Sequence, residues 1–495
     1  MDIINLLTSA SPLASVWFTA VLVVLDYIIR IVAIVIVPRN RRPTSGMAWL
    51  LAIFFMPSIG FILFLIIGSR RLPRARRRKQ DEINRLITEA TVGVDQLSDQ
   101  KDAPPWLTGI AALGRNMGAL PLTGGNSAVL LDDYEATIKD MADAVDSADR
   151  YVHVQFYILA YDPTTRVFFE AMEAAVRRGV AVRVLLDHIA SIRSPGYLRT
   201  KRKLEEIGVE FALMLPVRPW RGEYQRPDLR NHRKILVVDG TLGYMGSQNL
   251  IDSSYNKLSN RRRGLSWKDL MVRLEGPIVS GLNAIFLGDW FSETNEVLVN
   301  WVHDVQHAHH PGSLDCQAVP SGPGFEGENN LQMFVALLYD ATERISITSP
   351  YFVPDESIMY AIKAATARGV QVELFVSEVG DQAIVYHAQR SYYEDLLTAG
   401  VRIFMYRPPY ILHSKHFSID DQVAVVGSSN MDMRSFSLNM EVSMMVHGRS
   451  FVEALRLIED GYRENSRELT LEEWNKQPLR STILDNLARL TSALQ

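Results

Sequence analysis

The sequence predicts an α/β protein: two repeated α/β domains around a pseudo-twofold active site, preceded by two transmembrane helices. Three observations predict it. Two long apolar runs lie near the start of the chain. A helix–glycine–strand unit at 168–187 recurs at 358–377, and a His-x-Lys-x4-Asp pattern at 232–239 recurs at 413–420. The 495 residues exceed one ordinary hydrophobic core and suit roughly three domain-sized units. With 47% hydrophobic and 22% charged residues, the chain as a whole is not disordered. Its one cysteine, Cys316, excludes an internal disulfide and a cysteine-rich zinc or iron–sulfur site.

Residues 1–79 are the predicted membrane anchor. Residues 13–37 are apolar apart from Asp26, Arg30 and a few small polar side chains. As a helix they measure about 37 Å, enough to cross a bilayer with tilt. Residues 47–67 carry no charge and measure about 31 Å as a helix. A cleaved signal peptide fits the first run poorly, because Met1 and Asp2 supply no basic start and the run is too long. Asp26 and Arg30 lie four apart on one helical face, where they neutralise each other. Arg39, Arg41 and Arg42 separate the runs, and Arg70, Arg71, Arg74, Arg76, Arg77, Arg78 and Lys79 follow the second. Seven bases against three put the body that follows on the cytoplasmic side of the cell membrane. The same cluster can hold anionic headgroups.

The segment from Met1 to Lys79 holds 11 bases and two acids, a net of +9, while the remaining 41 bases and 54 acids leave −13. An acidic body argues against nucleic acid as a partner, which needs an electropositive surface. Residues 80–117 read as a polar connector punctuated by Pro104 and Pro105. Beyond it the chain repeats, giving domains at 118–310 and 311–495. Ala171, Ala174, Ala175, Arg178, Gly179, Val180 and Val182 recur at 361, 364, 365, 368, 369, 370 and 372. Each copy reads as a 3.6-periodic helix, a glycine stop and a β-branched strand, preceded by another strand at 151–158 or 344–351. Strand, helix, strand in duplicate predicts a largely buried sheet. At the C-terminal end, Thr470 and Glu473 form a capping box. Leu479, Ile483, Leu484, Leu487, Leu490 and Leu494 trace one helical face that is expected to pack on the body, with membrane or partner contact as the alternative.

The chemistry repeats with the fold. The first copy holds His232, Lys234, Asp239, Ser247 and Asn249; the second holds His413, Lys415, Asp420, Ser428 and Asn430, all at one constant offset. Asp269 and Glu441 each precede a glycine by seven. His and Lys two apart on a strand share a face. Two copies meeting about a pseudo-twofold bring two imidazoles, two ammoniums and the Ser and Asn side chains to one point, an arrangement suited to a phosphodiester. Lysines and polar donors balance the anionic oxygens as charge builds at a five-coordinate phosphorus. One neutral imidazole attacks phosphorus and forms a phospho-histidine, and the other, protonated, serves the leaving alkoxide. Asp269 and Glu441 are the candidates to fix the imidazole tautomers. This chemistry requires neither metal nor cofactor. Near-symmetry leaves open which histidine is the nucleophile.

These residues resemble the His-x-Lys-x4-Asp motifs of the phospholipase D superfamily. The resemblance continues through Ser349-Pro-Tyr351-Phe-Val-Pro354-Asp355, Ser429-Asn430-x-Asp432-x-Arg434-Ser435-Phe436 and Leu438-Asn439-x-Glu441. With the apolar N-terminal runs and the pattern Trp49, Pro57, Gly60, Gly68, nearly everything from about residue 28 is similar to the bacterial cardiolipin synthase family. That resemblance implies two phospholipase D-like domains and transfer of a phosphatidyl group between two phosphatidylglycerols, giving cardiolipin and glycerol. It implies His232 as nucleophile, His413 as acid, and Lys234, Lys415, Asp239 and Asp420 as their companions. The alternatives are a phospholipase D or phosphatidyltransferase using water or another alcohol, and a nuclease of the same superfamily, against which the acidic body speaks. Asp239 and Asp420 have a second reading, as braces of the fold. The first copy lacks the Asp-x-Arg-Ser-Phe stretch and carries an insert at 253–266 with Arg261, Arg262 and Arg263, read as a solvated loop, with headgroup binding as the alternative. His303, His307, His309 and His310 are read as a solvated face, without the carboxylate pattern of a metal site. The sequence specifies no oligomeric state.

Overall fold

A computed structural model describes residues 12–39, 43–68, 72–91, 104–221, 223–298, 309–325 and 327–490. The chain divides into two compact units, Met1–Arg71 and Leu72–Gln495. Arg41, Arg42, Arg70, Arg71, His303, His307 and Leu494 lie outside the described residues.

In the first unit, Pro12–Ile36 is one helix, and among the described residues it alone is long and apolar enough to cross a membrane. Arg30 Nη2 meets Asp26 Oδ2 at 3.0 Å, the self-neutralising pair that the spacing predicts. The second apolar run differs from expectation. It forms two short helices, Pro43–Phe55 and Pro57–Ile67, rather than one span. Pro57 is the cause: its ring disfavours helical geometry at the residue before it, and Met56 leaves the helix at φ −136°, ψ 74°. The two pieces fold back on each other at this break. A Cβ on Gly60 would stand 2.7 Å from the Ala52 carbonyl oxygen, so only glycine permits the approach. Ala33, Val37, Ile53 and Phe64 form the small apolar cluster of this unit.

The second unit is built on one long mixed sheet. From one edge the strands run Glu210–Met214, Ala181–Asp187, Tyr151–Phe156, Ile235–Val238, Leu242–Gly246, Met271–Glu275, Thr123–Leu131. The order then continues Leu314–Ser321, Asn439–His447, Val423–Gly427, His416–Ile419, Arg344–Thr348, Gln371–Ser377, Arg402–Tyr406 and Ser466–Leu469. Three parallel strands lie toward each end, and antiparallel pairing fills the middle. Apart from the added edge strand 466–469, the order reads alike from either end.

The repeated helix segments behave as their periodicity predicts. Arg166–Arg177 buries Phe168, Phe169, Ala171, Met172 and Ala175; Glu356–Ala367 buries Ile358, Met359, Ala361, Ile362 and Ala365. Each stops at a left-handed glycine, Gly179 at φ 88° and Gly369 at φ 90°. Ile278–Thr294 and Arg449–Glu464 cover the central strands, sharing an apolar core with Val426, Met444 and Leu274. Thr470 Oγ1 accepts from the Glu473 amide, the predicted cap. The C-terminal helix Leu479–Arg489 corrects an expectation. Ile483, Leu484 and Leu487 are about half exposed; the helix docks instead through Asp485, which meets His387 Nδ1 at 2.6 Å and Arg390 Nε at 3.2 Å.

Candidate active site

Both His-x-Lys segments lead directly into inner strands of the sheet, Ile235–Val238 and His416–Ile419. Each is held by the strand of the other half. The His232 amide donates to the Met440 carbonyl at 2.8 Å, and the His413 amide donates to the Lys268 carbonyl at 2.7 Å. Arg230–Asn231 pairs in parallel with Asn439–Met440, and Ser266–Lys268 with Tyr410–Leu412. The acids follow directly on these strands, so they reach the opposite half's histidine. His232 Nδ1 donates to Glu441 Oε2 at 2.9 Å, with the Ser428 carbonyl at 3.1 Å; His413 Nδ1 donates to Asp269 Oδ1 at 2.7 Å. The predicted carboxylate partners are thus crossed between halves, a pairing that spacing along the chain cannot specify.

This fixes the chemistry of the imidazoles. A proton on Nδ1 shared with a carboxylate leaves Nε2 with its lone pair, the form that attacks phosphorus. Burial lowers the His232 pKa to about 4 against the pull of Glu441, and it lowers that of His413 against Asp269. Both rings are therefore neutral at pH 7. Burial works against the Asp269 charge, but His413, Lys415 and Ser247 outweigh it and hold the carboxyl at about 2. Glu441 is likewise lowered, its burial overcome by His232, Lys234 and Ser428.

The lysines are fully buried. Their ammoniums curl back onto the carbonyls of their own histidines, Lys234 on His232 at 2.6 Å and Lys415 on His413 at 2.5 Å. Burial lowers the Lys234 pKa well below its ordinary value and that of Lys415 to about 8, with Glu441 and Asp269 opposing. Two ammoniums and two carboxylates balance, so an arriving phosphodiester anion shifts the site toward protonation.

Ser247 and Ser428 do not point at the centre. Their hydroxyls donate to the acids, Ser247 to Asp269 at 2.6 Å and Ser428 to Glu441 at 2.5 Å, and so orient the carboxylates. Asn249 Nδ2 donates to the Tyr255 hydroxyl at 2.8 Å; Asn430 is buried beside Ser435.

Asp239 and Asp420 are not in the site. Each sits past the far end of its strand, at φ 52° and 48°, about five strand residues or roughly 16 Å from its lysine. Asp239 accepts from the amides of Asp149, Arg150 and Tyr151 at 2.8 Å each. Asp420 accepts from those of Thr342, Glu343 and Arg344 at 2.8–3.1 Å. They clamp the turn that starts the neighbouring strand, and the expectation of a catalytic role gives way to the bracing one.

Three tyrosines, absent from the sequence-based candidates, wall the site. The Tyr157 ring meets His232 edge-on at 4.9 Å, and Tyr255 and Tyr351 each meet His413 edge-on at 6.3 Å. Tyr351 lies in the Ser349-Pro-Tyr351 stretch, a usable signal. Tyr255 comes from the 253–266 insert, which is therefore a wall of the site and includes the helix Leu258–Arg263. His309 and His310 are exposed, and among the described residues no group of three His, Cys, Asp or Glu could hold a metal.

Comparison with known proteins shows the family. Residues 141–290 and 334–458 match the family described as cardiolipin synthase, PLD-like domain, and residues 28–69 match the phospholipase D-nuclease N-terminal family. The chain is 31% identical over 469 residues to cardiolipin synthase A of Proteus mirabilis (strain HI4320), covering 92% of this chain and 94% of that one. It is 32% identical to cardiolipin synthase A of Wigglesworthia glossinidia brevipalpis, over 94% of this chain and 95% of that one. Against cardiolipin synthase of Alkalihalophilus pseudofirmus the identity is 30%, over 94% and 91%. The crystal structure of phosphatidylserine synthase from Haemophilus influenzae Rd KW20 shares the fold, with a TM-score of 0.56, 15% identity, and coverage of 78% of this chain and 100% of that one.

Proposed function

The chain belongs to the cardiolipin synthase family of phospholipase D-like phosphatidyltransferases, and we propose that it transfers a phosphatidyl group between two phosphatidylglycerols, releasing glycerol. The observation that carries this is the pair of crossed imidazole–carboxylate contacts, which gives two histidines with free Nε2 atoms between two buried ammoniums.

In the first step His232 Nε2 attacks phosphorus, and the P–O bond to the headgroup glycerol breaks. Glu441 stabilises the positive charge that forms on the His232 ring. Binding of the anionic diester raises the His413 pKa, so His413 delivers a proton to the departing alkoxide. In the second step a hydroxyl of another phosphatidylglycerol loses its proton to His413 Nε2 and displaces His232. Acid–base help of this kind is worth roughly 10²–10⁴-fold. Lys234 and Lys415 balance charge on the equatorial oxygens. Residues 118–310 and 311–495 act as two repeated domains, each completing the other's histidine. Both apolar runs of the segment from Met1 to Lys79 enter the bilayer, and the basic excess after residue 69 favours a cytoplasmic body.

The test uses the purified full chain in detergent–lipid micelles, with phosphatidylglycerol as the only phospholipid. Cardiolipin and glycerol should appear in equal amounts and vanish in His232→Ala and His413→Ala. Phosphatidic acid as the main product would replace transfer by hydrolysis.

A further inference from the structure

The charges around the two histidines differ. Beside His232, arginines stand together with Asp187, which Arg230 meets at 2.9 Å, and with Glu441. Arg434 donates to the Asp228 carbonyl at 2.8 Å, four residues before His232, and Arg193, Arg230 and Arg434 all act on Tyr157, which packs against His232. Near His413 stands an acid that the chemistry above does not use. Tyr351 Oη donates to Asp381 Oδ1 at 2.9 Å, and Gln382 Nε2 donates to Tyr351 Oη at 3.1 Å. Asp381 is half-buried on the loop between the strand Gln371–Ser377 and the helix Ala383–Arg390.

Asp381 has no evident structural duty. The helix after it is preceded by Gln382 at the cap position, and no backbone amide among the described residues bonds to the Asp381 carboxylate. His413 is already held by Asp269. The Asp381 Oδ2 has no hydrogen-bond partner among the described residues. Its charge is felt by Tyr351, Tyr255 and Lys415, which places it at the His413 end of the site. In-line displacement by His232 puts the leaving group, and later the incoming alcohol, at that same end.

We propose that Asp381, with Tyr351 and Gln382, forms a polyol subsite that accepts hydrogen bonds from the glycerol hydroxyls of the lipid headgroup beside His413. This rests on the phosphatidyl-transfer reading. When the acceptor oxygen bonds to phosphorus, the bond from phosphorus to His232 Nε2 breaks and the hydroxyl proton passes to His413 Nε2. Asp381 takes no part in the proton transfer and accepts a hydrogen bond from the neighbouring hydroxyl of the acceptor. Water has no second hydroxyl to offer, so the subsite favours transfer over hydrolysis. A hydrogen bond to a charged acceptor carries about a 10- to 100-fold preference.

The test compares the full-length protein with Asp381→Asn and Asp381→Glu in phosphatidylglycerol micelles, reading the ratio of cardiolipin to phosphatidic acid. A second readout supplies glycerol and 1-propanol together as soluble acceptors and measures the product ratio. Both ratios are internal to one sample and do not depend on the fraction folded. Asp381→Asn should lower each by about 10- to 100-fold, and Asp381→Glu should restore part of the loss. Unchanged ratios, with all products falling together, would overturn the subsite. A wild-type protein that makes phosphatidic acid alone would instead overturn the transfer reading, before any variant is measured.

Discussion

Glu441→Gln tests the crossed arrangement most directly. The Glu441 carboxylate is fully buried and receives four donors: His232 Nδ1 at 2.9 Å, Ser428 Oγ at 2.5 Å, Ser435 Oγ at 3.0 Å and Asn439 Nδ2 at 3.2 Å. An ionised carboxylate has about four acceptor sites, so all four are satisfied. Glutamine keeps one acceptor oxygen and brings two N–H donors into a nest of donors. If its oxygen faces His232, the tautomer survives but the charge opposite the phospho-imidazolium is lost. That is worth about 1.5–3 kcal/mol, or roughly 10- to 100-fold. If its NH2 faces His232, Nδ1 must accept, the proton moves to Nε2, and the nucleophile is blocked. Loss of the comparable carboxylate in a Ser-His-Asp triad costs about 10⁴-fold. The expected fall in kcat is therefore about 10²–10⁴-fold, with KM little changed. Cardiolipin formation measured by mass spectrometry gives the rate, and quantification of acid-labile phospho-histidine shows whether the first step is the one slowed. A folded Glu441→Gln protein within threefold of wild-type kcat would refute the assignment of Glu441 to His232.

Further outcomes follow from the same geometry. Asp239→Ala should lower stability by about 1–3 kcal/mol in thermal melts, by freeing three amides. It should leave kcat per folded molecule within a few-fold of wild type, whereas a collapse of kcat with an intact fold would return Asp239 to the site. For kcat/KM, a neutral His232 and a protonated His413 are required together. Because burial lowers the His413 pKa, the rate should climb as pH falls from 8 toward 6, and it should drop further above pH 8 as Lys415 discharges; a flat profile over that window would contradict these roles. Stability should run the other way. His153 and His416, held near 3, and His232, held near 4, have folded pKa values below the unfolded 6.5. Their contribution is complete above pH 6.5 and is lost as pH falls through 6.5 toward 3–4, about 3 kcal/mol for His232 alone. Glu459, raised to about 7 by burial, partly offsets this, since its stabilisation is lost as pH rises from 4.5 to 7. Denaturant midpoints between pH 7.5 and 5 read the sum, and no acid decline would count against the buried neutral histidines.

The parts of the molecule legible in the sequence are those encoded by local period or exact repetition. The helices at 166–177 and 356–367 follow from apolar spacing and a glycine stop, and the His-x-Lys pairs from their recurrence. What escapes the sequence is non-local. Nothing in a strand pattern says that the amides at 149–151 will converge on Asp239, because they lie far upstream in the chain. The crossing of Glu441 to His232 depends on the short parallel pairing of 230–231 with 439–440, too brief to show as a period. The apolar run at 47–67 has the length of a span, but Pro57 within it is a breaker whose effect outweighs hydropathy. The leucine face of 479–490 reads as packing, while the ion pairs of Asp485 do the docking.

The crossing also limits how the two halves can act. Each histidine takes its position from the other half's backbone and its tautomer from the other half's acid. A half alone would present an imidazole without its carboxylate and an acid without the imidazole proton it accepts. The second lysine is part of this dependence: Lys415 lowers the His232 pKa, while Glu441 raises the pKa values of both lysines. The four charges therefore form one titrating set. Neutralising either acid should lower the charge on both lysines, so the Glu441 and Asp269 variants should be non-additive in activity. A double-mutant cycle over Glu441→Gln and Asp269→Asn measures this. Strict multiplicativity of the two losses would mean that the halves titrate separately, contrary to the contacts that join them.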